Sequence, residues 1–211
     1  MCSNYTPISD SSEHWVKEHF DCSLPDTPWI KEAYPTYLGP FIFLKDGKPK
    51  CELAEFGLRP FWAKDKRFGT KTYNARSETV AEKPSYKNAW AKQQFGLCLM
   101  DNFYEPNWET GKAIRWGIKR TDLQPIAVAS IWERFVDKET GEIVFSFSLL
   151  TINADHHPVM KHFHKPKDEK RSIVVLQDND YTKWLNANHN QARDLLTLAP
   201  NDFLASEPSP R

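Results

Sequence analysis

No stretch of the sequence is long and apolar enough to cross a membrane as a helix. The most apolar segments, Pro125 to Trp132 and Glu142 to Ile152, fall well short of the roughly 20 residues that a spanning helix needs. The opening residues Met1-Cys2-Ser3-Asn4-Tyr5 lack the basic region, apolar stretch and small-residue cleavage site of a secretion signal, so a cytoplasmic protein is expected. Four cysteines, Cys2, Cys22, Cys51 and Cys98, form no C-x-x-C pair. That argues against a zinc ribbon or a disulfide-stapled mini-domain and fits a reducing compartment. Net charge is also missing: 28 Lys and Arg face 28 Asp and Glu. Global electrostatic capture of nucleic acid is thereby excluded, although a local basic patch can still hold phosphates. There is no internal repeat, heptad array or low-complexity block.

What is present is core-forming material. Hydrophobic residues make up 40% of the 211 and aromatics 13%, including 8 Trp, 13 Phe and 7 Tyr. Such a composition excludes chain-wide disorder and suits one medium domain covering residues 1–211. Charge is uneven along it. Between Arg59 and Lys71 five basic residues, Arg59, Lys64, Lys66, Arg67 and Lys71, stand against Asp65 alone.

Residues Asp10 to Phe20 place Trp15, Val16 and Phe20 at near-helical spacing, with Ser11 or Ser12 as N-cap. Pro25, Pro28, Pro35 and Pro40 forbid regular helix across the next stretch and predict an irregular surface segment. Phe41 to Leu44, then Asp46-Gly47, then Cys51 to Leu58 read as a hairpin about a tight turn. Ser77 to Lys92 is expected to be mostly helical, with Pro84 as a kink. Strand-like runs follow: Phe95 to Met100, Ala113 to Lys119, Ile126 to Trp132, Ile143 to Ile152 and Ser172 to Leu176. Turn clusters at Glu109-Thr110-Gly111 and Glu139-Thr140-Gly141 separate some of them. Tyr181 to Leu185 and Gln191 to Leu198 read as short helices, and Ala205 to Arg211 as a frayed tail. The class predicted is α+β, a single domain whose curled, mainly antiparallel, barrel-like sheet is flanked by short helices.

Four segments could carry chemistry. Cys2, once Met1 is removed, would bear an α-amine and a thiol on adjacent carbons, with reference pKa values near 7.7 to 8.0 and 8.5. Such a 1,2-aminothiol can condense with an aldehyde to a thiazolidine, and an N-terminal nucleophile can instead attack an amide. Tyr73 to Thr79 follows the basic run; Ser77 could cap a helix there and leave backbone N–H groups and Arg76 facing an anion. Glu105 ends an apolar strand among Phe103, Tyr104 and Trp108, a setting that raises a carboxyl pKa and suits a general acid. Asp155 to Pro166 gathers four of the seven histidines beside basic residues. No acid or Cys pair stands at zinc spacing there, so a single acid/base or phosphate-binding histidine is expected rather than a metal site, and no cofactor is called for.

In order and spacing these segments resemble the SRAP family, the SOS response-associated peptidase domain proteins also described as abasic-site processing proteins. Met1-Cys2 is similar to the family's start, and Phe56-Gly57-Leu58-Arg59-Pro60-Phe61-Trp62 to its Trp-Gly-Leu-x-Pro-x-Trp segment. Asn74-Ala75-Arg76-Ser77-Glu78-Thr79 matches its Asn-Ala-Arg-x-Glu-Thr signature. Asn102 to Glu105 resembles Gly-Phe-Tyr-Glu, Ala129 to Glu133 resembles Ala-Gly-Leu-Trp-Glu, and Thr151 to Pro166 the stretch leading to His-x-Arg-Met-Pro. The likeness spans residue 2 to about residue 185. Ser3-Asn4 stand where the family has Gly-Arg, Pro106 replaces a Trp, and a charged insertion, Lys167 to Arg171, follows the histidine motif.

A monomer is the default expectation, and the resemblance implies a protein that binds single-stranded DNA and joins Cys2 covalently to the ring-opened aldehyde of an abasic site, shielding the lesion during the DNA-damage response. It also implies self-removal of Met1. Cys2 would be the nucleophile, Asn74 would orient it, Glu105 would shuttle protons, and His162 would serve the phosphate or sugar oxygen as a second acid/base. Arg59 and Arg76 would contact phosphates, Trp62 or Phe61 would stack beside the lesion, and Lys71, His164 and Lys165 would add positive character. Two alternatives stand beside it: an N-terminal-nucleophile peptidase acting on protein with the same four residues Cys2, Asn74, Glu105 and His162, and a single-strand binder whose chemistry the changes at Ser3, Asn4 and Pro106 have disabled.

Overall fold

The computed structural model describes residues 2–63, 65–136 and 141–210. Ten strands run in the order β1 (Tyr5–Pro7), β2 (Leu38–Lys45), β3 (Lys48–Phe56), β4 (Asn74–Arg76), β5 (Phe95–Asn107), β6 (Ile114–Arg120), β7 (Ile126–Val136), β8 (Ile143–Asn153), β9 (Arg171–Ile173) and β10 (Leu204–Pro208). Four short helices accompany them: α1 (Glu13–Phe20), α2 (Lys87–Ala91), α3 (Tyr181–Leu185) and α4 (His189–Leu195).

Five strands close a barrel. β2 pairs with β3, β3 with β8, β8 with β7, β7 with β5, and β5 returns to β2. Closure leaves none of these strands as a free edge over its paired length. The β3–β8 and β4–β8 pairs are parallel, so the sheet is mixed, though most pairs are antiparallel as the spacing predicts. The Asp46-Gly47 hairpin turn forms with both residues at positive φ, as a two-residue turn matched to strand twist requires.

Alternation along the strands builds two cores. Phe41, Phe43, Phe56, Cys98, Val128, Phe147 and Leu149 face one way and pack together, with Phe41 stacked on Phe147 at 4.6 Å between ring centroids. Ile42, Leu97, Leu99, Ala127, Ala129 and Ile131 face the other way, where α1, α2 and α3 cover them through Trp15, Phe20, Trp90, Tyr181 and Trp184.

Three expectations are corrected. Residues 77–86 are not helical but a run of turns, and only Lys87–Ala91 completes a helix. Pro84 accounts for part of this, since it disfavours helix just before it and donates no N–H. Ser77 therefore caps nothing, and Asn74 and Arg76 sit on a strand rather than at a helix start. Residues 204–208 are not frayed: they pair with β6 from Leu204↔Arg120 to Pro208↔Trp116, with Leu204 buried in the inner core. At the first helix the cap is Ser9, whose hydroxyl accepts from Ser11 N of a 3-10 turn preceding α1, while Ser12 makes no side-chain cap. Of the turn cluster at Glu139-Thr140-Gly141, the first two residues lie outside the described residues.

Candidate active site on the far half of the long strand

β5 is thirteen residues long, and its second half runs beyond the barrel. There it pairs with β6 on one side, Phe103↔Ile118 to Asn107↔Ile114, and with β1 on the other, Tyr5↔Phe103 and Thr6↔Asn102. Tyr104 N donates to Asn4 O at 3.2 Å, and Tyr5 exchanges two backbone bonds with Ala33. The start of the chain is thus laid beside Glu105.

Cys2 is fully buried. Its Sγ–H donates to Asn4 O at 3.5 Å, and its carbonyl accepts from Asn74 Nδ2 at 2.8 Å. Burial, and then the nearby Glu105 carboxylate, push the thiol well above its ordinary range. At neutral pH it is a thiol and not a thiolate, hence a weak nucleophile until its proton is taken. Asn74 is placed by parallel pairing of β4 on β8, Asn74↔Leu149, and by Tyr86 Oη–H donating to Asn74 O at 2.9 Å.

Glu105 is only 3% exposed. Its carboxylate faces His164 Nε2 at 3.2 Å. His164 is brought there by the Asn107↔Phe163 bridge and by its own N–H donating to Pro106 O at 3.1 Å. Among the four clustered histidines the structure therefore selects His164. His162, expected at the site, points elsewhere: it is surface-exposed and its Nδ1 pairs with Glu109 Oε1 at 2.6 Å. One residue, the buried Phe163, separates the two imidazoles in sequence, and the second one turns inward.

The remaining expected residues divide. Arg59 is buried in an internal ion pair, its Nη2 2.7 Å from Glu55 Oε2 and its guanidinium over Phe135 at 4.8 Å. Trp62 is 45% exposed and Phe61 63%, with Trp62 edge-on to Phe68. Lys71 is exposed at the end of a 3-10 turn three residues before Asn74. Arg76 is half exposed and pairs with Glu169 at 2.8 Å. Lys165 lies above the Trp108 ring at 5.6 Å. Lys64 lies outside the described residues.

Further side chains surround these residues. The half-buried Tyr73 hydroxyl is pushed above its ordinary value by burial and then by the charges of Cys2 and Glu105. Asn4 donates to Glu32, which also takes Tyr34 Oη–H at 2.6 Å and Arg115 Nη2 at 2.7 Å, while the Arg115 guanidinium lies 3.3 Å from the Tyr104 ring centroid. Adjacency of Tyr73 to Asn74 was the one local signal for any of these. No cluster of three or more metal-ligating side chains occurs among the described residues.

A buried cysteine beside a carboxylate–imidazole pair, held on a closed five-stranded mixed barrel with added strands and short helices, defines the class. The chain belongs to the SRAP family, SOS response associated peptidase, which it matches over residues 1–208. It is 28% identical over 211 residues to the abasic site processing protein YoqW of Bacillus subtilis (strain 168), covering 94% of this chain and 86% of that protein. A crystal structure of a protein from Bordetella bronchiseptica is similar with a TM-score of 0.88 at 32% identity, covering 99% of both chains. A Bacteroides thetaiotaomicron protein shares the fold, with a TM-score of 0.79 at 20% identity over 98% of this chain and 91% of that one.

Proposed function

We propose that this protein processes abasic sites in DNA by capturing the ring-opened sugar covalently on Cys2. The observation that carries the reading is that Asn74 holds the Cys2 carbonyl while a buried Glu105–His164 pair, remote from both in sequence, has its carboxylate near enough to raise the Cys2 thiol. The name of the Bacillus relative supports the substrate class.

Hydrolysis of the Met1–Cys2 peptide bond frees the α-amine of Cys2, a self-cleavage for which the same residues serve. The amine attacks the C1 aldehyde of the lesion; a C–N bond forms, water leaves with the aldehyde oxygen, and an imine results. Sulfur then adds to the imine carbon, the S–C bond forms, and the thiol proton passes to nitrogen, closing a five-membered thiazolidine without any change of oxidation state. A thiol held neutral by burial suits this order, amine first and sulfur second. Glu105 and His164 move the protons, onto the departing oxygen in the first step and off sulfur in the second. Asn74, by gripping the Cys2 carbonyl, fixes the direction in which amine and thiol point.

Because the acceptor is buried, the lesion must leave any base stack, and a single strand reaches it at least cost. The exposed Phe61 and Trp62 offer faces for unstacked bases, and Lys71, Arg76 and Lys165 offer cations for phosphates.

The test is denaturing-gel and intact-mass analysis of Met1-free protein mixed with an abasic single strand, with Cys2→Ser and an undamaged strand as controls. A heat-resistant adduct that needs both Cys2 and the lesion is expected. Its absence from protein whose mass confirms a free Cys2 overturns the reading.

A further inference from the structure

His164 carries an uncommon backbone. Its φ is +66°, in the left-handed region that a residue with a Cβ enters only when its surroundings hold it there. That conformation is what sends the imidazole to Glu105 while His162, two residues earlier, stays at the surface. On one side the turn is held by His164 N–H donating to Pro106 O. On the other side the His164 and Lys165 carbonyls both accept from one ammonium, Lys170 Nζ, at 3.3 Å and 2.6 Å.

Lys170 is itself pinned. Its N–H donates to Asp155 Oδ1 at 2.8 Å, and its carbonyl accepts from Ala154 N at 2.7 Å. Asp155 is steadied in turn by Asn153 Nδ2 at 2.8 Å. The lysine thus enters from a fixed backbone just before β9 and reaches back across the loop that its own segment forms, with Asp168 N closing the turn onto Lys165 O at 3.0 Å. A lysine whose ammonium donates to two successive backbone carbonyls of one turn acts as a crossbar.

We infer that Lys170 is a positioning residue for the covalent step: by clamping the His164 and Lys165 carbonyls it holds His164 in the left-handed conformation that aims its imidazole at Glu105. The inference rests on the proposed function for its kinetic consequence, but the placement of His164 can be read without DNA. It also gives a role to part of the charged insertion Lys167 to Arg171, whose Glu169 meanwhile joins Arg76 and Arg171.

The experiment compares wild type, Lys170→Met, Lys170→Arg, His164→Gln and the Lys170→Met/His164→Gln double variant, each with Met1 removal confirmed by mass. Single-turnover adduct formation on an abasic single strand is measured together with strand affinity and the imidazole nitrogen signals of the DNA-free protein. Lys170→Met is expected to slow the covalent step by about 10- to 100-fold, with strand affinity unchanged. It should move the His164 imidazole signal, identified by its loss in His164→Gln, whereas Lys170→Arg, which keeps donors within reach, should retain most of the rate. The double variant should be no slower than His164→Gln alone. A wild-type rate and an unmoved imidazole in Lys170→Met overturn the inference, as does equal slowing by Lys170→Met with and without His164. If wild type forms no adduct, the proposed function fails, and the imidazole signal alone still decides the place of Lys170.

Discussion

The two halves of β5 show how one strand serves both stability and chemistry. Residues Phe95 to Met100 lie between β7 and β2 in the barrel wall, every one of them buried. Leu97 and Leu99 meet the helix layer, and Cys98 and Met100 meet Phe41 and Phe147 on the opposite face. The half from Asp101 to Asn107 has only added pieces for neighbours, β1 and β6, and its buried positions are Phe103, Glu105 and Asn107. The register explains the change. Thr6 pairs with Asn102 but Pro7 with Met100, so Asp101 is left without a partner opposite it on β1. A residue skipped in this way reverses the alternation. The odd-numbered Phe103 consequently joins the even-numbered Cys98 and Met100 in the core that also contains Cys2. Without that irregularity Glu105 would share the face of Leu97 and Leu99, under the helices and away from the cysteine. The barrel wall is therefore built where the pleat is regular, and the carboxylate of the proposed chemistry is placed where it is interrupted.

Breaking each half should separate these properties. Phe95, packed between Trp90 at 5.2 Å and Trp184 at 4.8 Å, carries the first half. Phe95→Ala is expected to lower unfolding free energy by about 3 to 5 kcal/mol, seen in denaturant titration, while the molecules still folded capture the lesion normally. Glu105→Gln should do the reverse, slowing adduct formation by about 100-fold or more with a far smaller shift in the unfolding midpoint. Equal losses of stability and rate in either variant would dissolve the distinction.

The two histidines sharpen it further. His164→Gln should reduce the adduct rate by about 100-fold in a single-turnover assay. His162→Gln removes only an exposed pair with Glu109, of a kind contributing about 0 to 1 kcal/mol, and should leave both rate and melting temperature near wild type. The smallest effect is a difference in thiol reactivity. Burial pushes Cys2, Cys51 and Cys98 above the ordinary thiol range, and Cys22, also raised, is the one that is partly exposed. Iodoacetamide at pH 8, followed by mass spectrometry, is expected to modify Cys22 first and the other three only on unfolding. Early labelling of Cys2 would contradict the closed packing around its sulfur.

Much of the barrel was legible because it rests on local pattern. The hairpin about Asp46-Gly47, the runs that became β5 to β8, and the period-2 apolar alternation are properties of neighbouring residues, and strand formation followed them. The helix expected over 77–92 failed for a complementary reason. Its composition allows helix, but it follows directly on the strand Asn74 to Arg76 paired with β8, and Pro84 disfavours helix before Lys87. The strand at Leu204 to Pro208 was invisible because its pairing partner is more than eighty residues away and its own sequence carries two polar residues and a proline.

The candidate site divides along the same line. Residue types and setting put Cys2 and Glu105 forward, since an amine, a thiol and a carboxylate are what such chemistry needs, and the family resemblance added Asn74; composition and spacing argued against a membrane helix and a zinc ribbon. Which histidine meets Glu105, that Arg59 is spent on Glu55, and that Phe103 of the same strand shares a core with Cys2 were decided by tertiary structure alone. A skipped residue opposite Pro7, a left-handed φ at His164 and a buried ion pair each depend on atoms from distant parts of the chain, and local sequence has no means of encoding which of two nearby side chains those atoms will favour.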